Sequence, residues 1–282
     1  MSVPVPLRLA AFAAGLAVVG AAGAALGAAT DATPPGGDQR SDAPLRLVAE
    51  TTTLPEGAAT TWRFRIVDGD GETVRAFERE QTKLVHLIVV GDDLDGFQHL
   101  HPAVAADGTQ AVALTLGRPG TYRAIADFVT GGKRHVVTTD LRVPGVVEPT
   151  PLPPDATVAS AGDGYAVTLR RPATLAAGRE HALSFAVTRD GRPVRDLQPY
   201  LGAYGHLVAL RAGDLAYTHV HPLGADRAAG VIAFAATFGS PGPQRLFLQF
   251  RTGGRVRTAA FTQAVTADDS SERTAPDAHH HP

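Results

Sequence analysis

Six of the eleven histidines in this 282-residue chain belong to one pattern that occurs twice. In each copy a histidine is followed, after twelve other residues, by the motif His-x-His-Pro, and equivalent positions lie 120 residues apart. The six are His86, His99 and His101 in the first copy and His206, His219 and His221 in the second. Imidazole is the commonest protein ligand of zinc and copper. The duplicated pattern therefore predicts a three-histidine metal site in each copy.

The rest of the composition narrows the choice of metal. The sequence contains no Cys and its single Met is Met1, so thiolate ligands are excluded and a thioether site is disfavoured. Three neutral imidazoles favour Zn(II) or Cu(II) over Cu(I). Asp127 is a candidate fourth ligand in the first copy, where the second copy has Gln249. A water in that position would give the geometry of a catalytic zinc site. No general base is evident from the spacing. We therefore favour a metal-binding protein without catalytic activity over a metallohydrolase.

The histidines could instead have a purely structural role, and this interpretation stays open beside the metal site. Buried imidazoles can form a hydrogen-bonded network, and the apolar run at 87–90 indicates a largely buried strand. Segments 86–102 and 206–222 nevertheless share only five identities in seventeen positions, and three of these are the histidines. This pattern indicates that the imidazoles matter for the fold or for a ligand.

A hairpin would bring the three histidines of one copy together. If segments 83–90 and 97–102 are its arms, residues whose numbers sum to 187 lie opposite each other. His86 then faces His101, with His99 diagonal to it on the same face. Opposed Cβ atoms in such a pair are about 5 Å apart, within reach of one ion. In the second copy the equivalent sum is 427.

The chain from residue 44 onward is predicted to be all-β. Short apolar runs are separated by Gly, Pro and Asp turn signals. In the first copy the predicted strands are 45–50, 61–67, 83–90, 97–102, 110–116, 120–128 and 135–143. About seven short strands over about 100 residues are typical of an immunoglobulin-like β-sandwich.

The same series returns after a proline-rich segment, so we predict two tandem immunoglobulin-like β-sandwiches at 44–143 and 157–266. The segment between them, 144–156, is predicted to be an extended, semi-rigid linker. The polar tail at 267–282 is predicted to be disordered.

An N-terminal signal peptide or membrane anchor is predicted at 1–29. Arg8 precedes an apolar run at 9–29, which is the arrangement of an export signal and is also just long enough to span a bilayer as a helix. Secretion after cleavage and a retained anchor both place the rest of the chain, after a spacer at 30–43, outside the cytoplasm. A net charge of -2 gives no basic face for nucleic acid.

Three motifs carry a resemblance to known proteins. They are KLVHLIVV…FQHLHP at 83–102, GTYRAIADF at 120–128 and GHLVALR…YTHVHP at 205–222. With them the chain resembles a group of actinobacterial secreted or membrane-anchored proteins, and more distantly the CopC and YtkA-like periplasmic copper-handling domains. The resemblance implies an extracytoplasmic immunoglobulin-like fold and a link to heavy metals. The chain departs from CopC-like proteins in having no histidine at the expected mature N-terminus.

The predicted function is the sequestration or delivery of Cu(II) or Zn(II) at the cell envelope. The partners would be the metal ion and an envelope metal transporter or another surface protein. The alternative is a structural or adhesive tandem β-sandwich module whose histidine triads are internal hydrogen-bond networks.

Overall fold

The computed structural model describes residues 44–218 and 220–268, and their regular elements are β-strands. The first copy holds β1 (Arg46–Ala49), β2 (Thr60–Val67), β3 (Val85–Gly91), β4 (Gln98–Leu100), β5 (Ala103–Val104), β6 (Gln110–Leu114), β7 (Gly120–Thr130) and β8 (Lys133–Val143). The second copy holds β9 (Val158–Ser160), β10 (Tyr165–Arg170), β11 (Leu175–Ala176), β12 (Glu180–Arg189), β13 (Arg192–Pro193), β14 (Gly205–Arg211), β15 (Tyr217–Thr218), β16 (Val220–Asp226), β17 (Val231–Thr237), β18 (Gly242–Thr252) and β19 (Arg255–Thr266). The all-β prediction is confirmed.

The strand order within each copy is that of an immunoglobulin-like domain. In the first copy one sheet has the order β1-β2-β6-β5 and the other β4-β3-β7-β8. Lettered along the chain, these are the sheets A-B-E-D and C′-C-F-G. The second copy repeats both sheets as β16-β17-β12-β10-β9 and β11-β19-β18-β14-β15. The predicted immunoglobulin-like fold is confirmed by this topology.

A hydrogen bond at the start of strand F is a further mark of the fold. Tyr122 of β7 donates its hydroxyl hydrogen to the carbonyl of Arg118, four residues back, at 3.0 Å, as in the tyrosine corner of immunoglobulin-like domains. Gln244 stands at the equivalent place in β18, and its Nε2 donates to the carbonyl of Ser240 at 3.4 Å. The second copy keeps the same bond with an amide in place of a phenol.

The predicted hairpin register is confirmed in both copies. β3 pairs with β4 at Ile88 and His99, which sum to 187, and β14 pairs with β15 at Ala209 and Thr218, which sum to 427. The predicted strand at 97–102 is divided, however, because β5 leaves for the opposite sheet. Pro102 lies at the division, where it cannot donate a ladder hydrogen bond.

The strands β3 and β14 are buried on both faces. In β3, Val85, Leu87 and Val89 belong to the core of the first sandwich, whereas Ile88 and Val90 on the opposite face belong to a separate apolar cluster. Both copies contribute to this junction cluster: Ile88, Val90, Leu94 and Ile125 from the first, and Val208, Leu210, Leu215 and Phe247 from the second. The C′-C-F-G sheets of the two copies therefore pack face to face.

An aromatic stack and the linker reinforce this junction. The rings of Phe97 and Phe247 stack with their centroids 4.0 Å apart and their planes 5° from parallel. In the linker, the backbone nitrogen of Thr150 donates to Oδ2 of Asp93 at 2.8 Å, and Leu152 packs against the junction cluster. The linker is thus fastened to the first copy and covers part of the junction.

Among the described residues no helix is long and apolar enough to cross a membrane. The predicted signal or anchor, the spacer, the tail from residue 269 and His219 lie outside the described residues.

The buried amide of Gln110 should lower the stability of the first sandwich. Its side chain in β6 is fully buried, and neither Oε1 nor Nε2 of the amide has a hydrogen-bond partner in the protein. Leaving a buried polar group unpaired costs roughly 1–3 kcal/mol. We expect Gln110→Met, which keeps the length and removes the amide, to raise the free energy of unfolding in urea by about 1–2 kcal/mol. Gln98→Met is the matched control, because that amide donates to the carbonyl of Thr115 at 2.8 Å and its loss should not stabilise the protein. No gain in the Gln110→Met protein would contradict this account.

Candidate metal centre

Histidines from both copies lie at the junction between the sandwiches. Side chains alternate along a strand, so His86 shares the outer face of β3 with Ile88 and Val90. His206 shares the outer face of β14 with Val208 in the same way. Both histidines are buried. Packing of the two sheets therefore brings one imidazole from each copy into the same water-poor layer.

The three histidines of the first copy form a cluster. One possible ligand nitrogen from each of His86, His99 and His101 lies within 4.8 Å of the others. Nδ1 of His86 is 3.1 Å from Nε2 of His99, and the ring centroid of His101 is 5.0 Å and 4.8 Å from those of His86 and His99. Ligand nitrogens in a tetrahedral zinc site are about 3.4 Å apart, as bond lengths of about 2.0–2.1 Å require. Small ring movements would close this cluster onto one ion.

A strained turn fixes the ring of His86 from outside the cluster. Glu80 and Lys83 exchange backbone hydrogen bonds of 2.8 and 2.9 Å, and Gln81 and Thr82 between them have φ angles of 45° and 72°. Positive φ at both central residues is typical of a type I′ turn, which Asn-Gly usually forms, so the β-branched Thr82 is strained there. The turn directs the carbonyl of Glu80 to Nε2 of His86 at 3.2 Å.

The hydrogen bonds around the cluster determine where its protons lie. Nε2 of His86 faces the Glu80 carbonyl, and Nδ1 of His99 faces Oε1 of Gln249 at 2.9 Å. Carbonyl oxygens only accept hydrogen bonds, so each of these outer nitrogens carries a hydrogen. In the neutral rings Nδ1 of His86 and Nε2 of His99 are then lone pairs that face each other. A cation between these two nitrogens, either a metal ion or a proton, satisfies both.

Burial disfavours the proton. It lowers the pKa of His99 well below the usual value, and repulsion from the neighbouring imidazoles lowers it further. Burial, together with the charges of His86 and Lys83, lowers the pKa of His101 to about 3. The pKa of His206 is lowered as well, chiefly by burial. At neutral pH these three rings are therefore uncharged, as metal ligation requires.

His101 has an unpartnered nitrogen in the cluster. Its Nε2 is buried and has no hydrogen-bond partner among the described residues. Buried polar atoms almost always have partners, so this nitrogen lacks one that an ion or a water would supply.

A small cavity lies against the cluster. Its volume is about 30 Å³, and His86, His99 and His206 contribute to its wall together with Glu80 and Asp127. This is room for an ion or one or two waters. The structure therefore offers space for a small cation at this position.

The charged groups on the cavity wall are two carboxylates and one guanidinium. Arg134 donates to both carboxylate oxygens of Asp127 at 2.7 and 2.9 Å and also to Glu80. The hydroxyl of Tyr217 donates to Asp127 at 3.0 Å, and burial raises the pKa of Tyr217, so the phenol keeps its proton. Oε2 of Glu80 is buried without a hydrogen-bond partner in the protein. The net negative charge of this group favours a cation nearby.

The structure distributes the six predicted ligands unevenly. Three form the cluster, and His206 lines the cavity beside it. His221 is exposed in β16, where Val220 and Pro222 on either side line the cavity, so His221 faces away from it by strand alternation. His219 lies outside the described residues, so the second triad stays a prediction. Asp127, the candidate fourth ligand, is instead bound to Arg134 and Tyr217.

Sequence reasoning missed the groups that orient the rings. Gln249 was recognised only as the residue that replaces Asp127, and the carbonyl of Glu80 was not recognised at all. A backbone carbonyl has no residue-type signature. The one available signal was the equal spacing of six residues between each turn, at Glu80 and Tyr200, and the first histidine of the copy.

Both copies of the histidine pattern fall in one known family. Residues 42–145 and 157–267 match the family model of a domain of unknown function (DUF8832). No match was found among curated proteins.

The similar solved structures are distant. A Salmonella alpha-2-macroglobulin variant is 16% identical with a TM-score of 0.28, over 82% of this chain and 15% of that one. The Escherichia coli adhesin FdeC is 15% identical with a TM-score of 0.26, over 80% and 65%. The bacterial integrin-binding protein invasin is 16% identical with a TM-score of 0.24, over 79% and 39%. The chain spans less than two thirds of the length of each.

The lowered histidine pKa values predict how stability depends on pH. Below the usual histidine pKa of about 6.5, these histidines bind protons in the unfolded chain but stay neutral in the folded protein. The free energy of unfolding of the metal-free protein should therefore fall as the pH drops below 6.5, and for His101 this continues to about pH 3. Each such ring can contribute up to about 1.4 kcal/mol per pH unit. Urea denaturation of chelator-treated protein between pH 7.5 and 4.5 measures this.

The matched variants are His101→Gln and His135→Gln. His135 stacks on Phe128 and is not part of the cluster. We expect the His101→Gln protein to lose less stability over this pH range than the wild-type and His135→Gln proteins. Parallel pH profiles for all three proteins would show that His101 does not contribute.

Proposed function

The chain belongs to the DUF8832 family, and from its histidine cluster we propose that it is an extracytoplasmic protein that binds one Zn(II) or Cu(II) ion through His86, His99 and His101. The observation that carries the proposal is the convergence of three imidazoles, with one possible ligand nitrogen from each within 4.8 Å of the others. The outer nitrogens of His86 and His99 donate to carbonyl oxygens, and their inner nitrogens face each other at 3.1 Å.

The outer hydrogen bonds are those that metal-binding histidines usually make. A ligating imidazole commonly donates its second N–H to a carbonyl or a carboxylate, which fixes the tautomer and the ring orientation. Here the Glu80 carbonyl orients His86 and Oε1 of Gln249 orients His99. Gln249 belongs to the second copy, so the site depends on both sandwiches being docked.

The surroundings favour binding over catalysis. The cavity of about 30 Å³ beside the cluster has the size of a bound ion or of one or two waters. We therefore propose sequestration of the metal, or its delivery to an envelope transporter or another surface protein. The location outside the cytoplasm follows from the predicted export signal at 1–29.

One alternative has a specific structural basis. If the amide of Gln249 is reversed, its Nε2 donates to Nδ1 of His99, and Nε2 of His99 donates to Nδ1 of His86. The histidines then form the closed hydrogen-bond network of a structural or adhesive module, because amide orientation is assigned from the hydrogen-bond network. This arrangement leaves Nε2 of His101 without a partner, and for that reason we favour the metal.

A metal titration tests the proposal. The protein is Ser41–Pro282, the compact unit of the chain, with His279→Ala, His280→Ala and His281→Ala to remove the histidines of the tail. We expect one tightly bound equivalent of Zn(II) or Cu(II) that is lost in the double variant His99→Ala, His101→Ala and kept in the His135→Ala control. Free metal at 100 times Kd should stabilise the wild-type fold by about 2.7 kcal/mol.

The variant His221→Ala separates this site from the predicted second triad. If that triad also binds, a second equivalent appears and is lost in the His221→Ala protein, while the first stays. If the wild-type protein binds no ion tightly and the double variant merely unfolds at a lower temperature, the structural network is the correct account.

A further inference from the structure

His206, the first histidine of the second copy, lies beside the cluster of the first copy. Its ring centroid is 6.4 Å from that of His86 and 6.0 Å from that of His99, and it lines the same cavity. His206 occupies in β14 the place that His86 occupies in β3, so the two are equivalent residues that meet across the junction.

The outer nitrogen of His206 is fixed by a turn like that beside His86. Tyr200 and Ala203 exchange backbone hydrogen bonds, and Leu201 and Gly202 between them have φ angles of 54° and 81°. The carbonyl of Tyr200 accepts a hydrogen bond from Nε2 of His206 at 2.8 Å. Because the carbonyl can only accept, Nε2 carries the hydrogen and Nδ1 of the neutral ring is a lone pair.

The two turns also lie close to each other. A Cβ atom added at Gly202 would be 3.5 Å from Cγ2 of Thr82. Each turn fixes one imidazole through a backbone carbonyl, and both imidazoles line the same cavity.

We propose that His206 is the fourth ligand of the ion, which would then be bound by three imidazoles of the first copy and one of the second. The inference rests on the proposed function. In a tetrahedral site of four imidazoles the ring centroids lie roughly 5 Å apart, given bond lengths of about 2.0–2.1 Å. The known separations among these rings run from 4.8 to 6.4 Å. His206 is not in the group whose ligand nitrogens lie within 4.8 Å of one another, so its ring would have to move toward the cluster to complete the coordination.

Two consequences follow from a fourth protein ligand. Coordination by four protein side chains is closed, as in structural zinc sites, and leaves no position for a reactive water. The ion also becomes a cross-link between the two sandwiches, so metal binding and docking of the copies stabilise each other.

Spectroscopy of the metal-loaded protein tests the coordination number directly. The protein is again Ser41–Pro282 with the three tail histidines changed to alanine. Pulsed EPR of the Cu(II)-loaded protein counts the imidazoles coupled to the ion, and we expect four. The visible spectrum of the Co(II)-loaded protein should show the intense bands of four-coordinate nitrogen ligation. Neither measurement on this protein requires a variant that alters the site.

The matched variants are His206→Ala and His221→Ala, which remove one histidine each from the second copy. Even the loss of an outer hydrogen-bond partner lowers metal affinity by 10- to 100-fold, so we expect His206→Ala to lower it by at least about 10-fold and to reduce the imidazole count to three. His221→Ala should change neither quantity.

The outcomes separate the two proposals. A count of three imidazoles in the wild-type protein, with unchanged affinity and spectra in the His206→Ala protein, would overturn this inference and leave the three-histidine site standing. Absence of any tightly bound ion in the wild-type protein would overturn the proposed function itself.

Discussion

Burial of the outer faces of β3 and β14 is the constraint on which the site depends. Ile88 and Val208 stand on those faces, and each would be exposed to water if the sandwiches separated. Burial of apolar surface, roughly 25 cal/mol for each Å², favours the docked arrangement. The same packing removes water from the polar side chains in the same rows, so His86 and His206 must find partners within the protein.

The partners available at the junction are almost all acceptors. Carbonyls at Glu80 and Tyr200 take the outer hydrogens of the two equivalent rings, and Oε1 of Gln249 takes that of His99. The nitrogens left over point inward, where the pKa of His99 is held low by burial. Protonation of an imidazole is thereby disfavoured at the centre of the cluster, although a positive charge there would interact favourably with the inward-facing nitrogens. The proposed metal ion would resolve this conflict, because it would supply positive charge while the rings stay neutral.

The sequence predicts the strands and the hairpin register, but it does not predict how the two sandwiches dock. Strand positions and the hairpin register follow from turn residues and from a side-chain period of two, and for that reason His99 was correctly placed opposite Ile88. The apolar run at 87–90 also indicated burial on both faces of its strand. What covers the outer face could not be predicted, because apolar outer positions such as Ile88 and Val208 do not specify their partner. The role of His206 at the first cluster depends entirely on that docking.

The duplicated pattern offers six imidazoles, whereas a tetrahedral ion takes four, so one ion near the junction cannot bind all six. One difference between the copies agrees with an unequal division of the ligands. Gln249 of the second copy contacts His99, whereas Asp127 at the equivalent place in the first copy is neutralised by Arg134 and bonded to Tyr217. A neutral amide can orient a ligand without adding charge, while a carboxylate paired to a guanidinium is no longer available as a ligand. In the proposed site the first copy would therefore supply most of the ligands, and the second would supply Gln249, which orients His99, and His206, which closes the site.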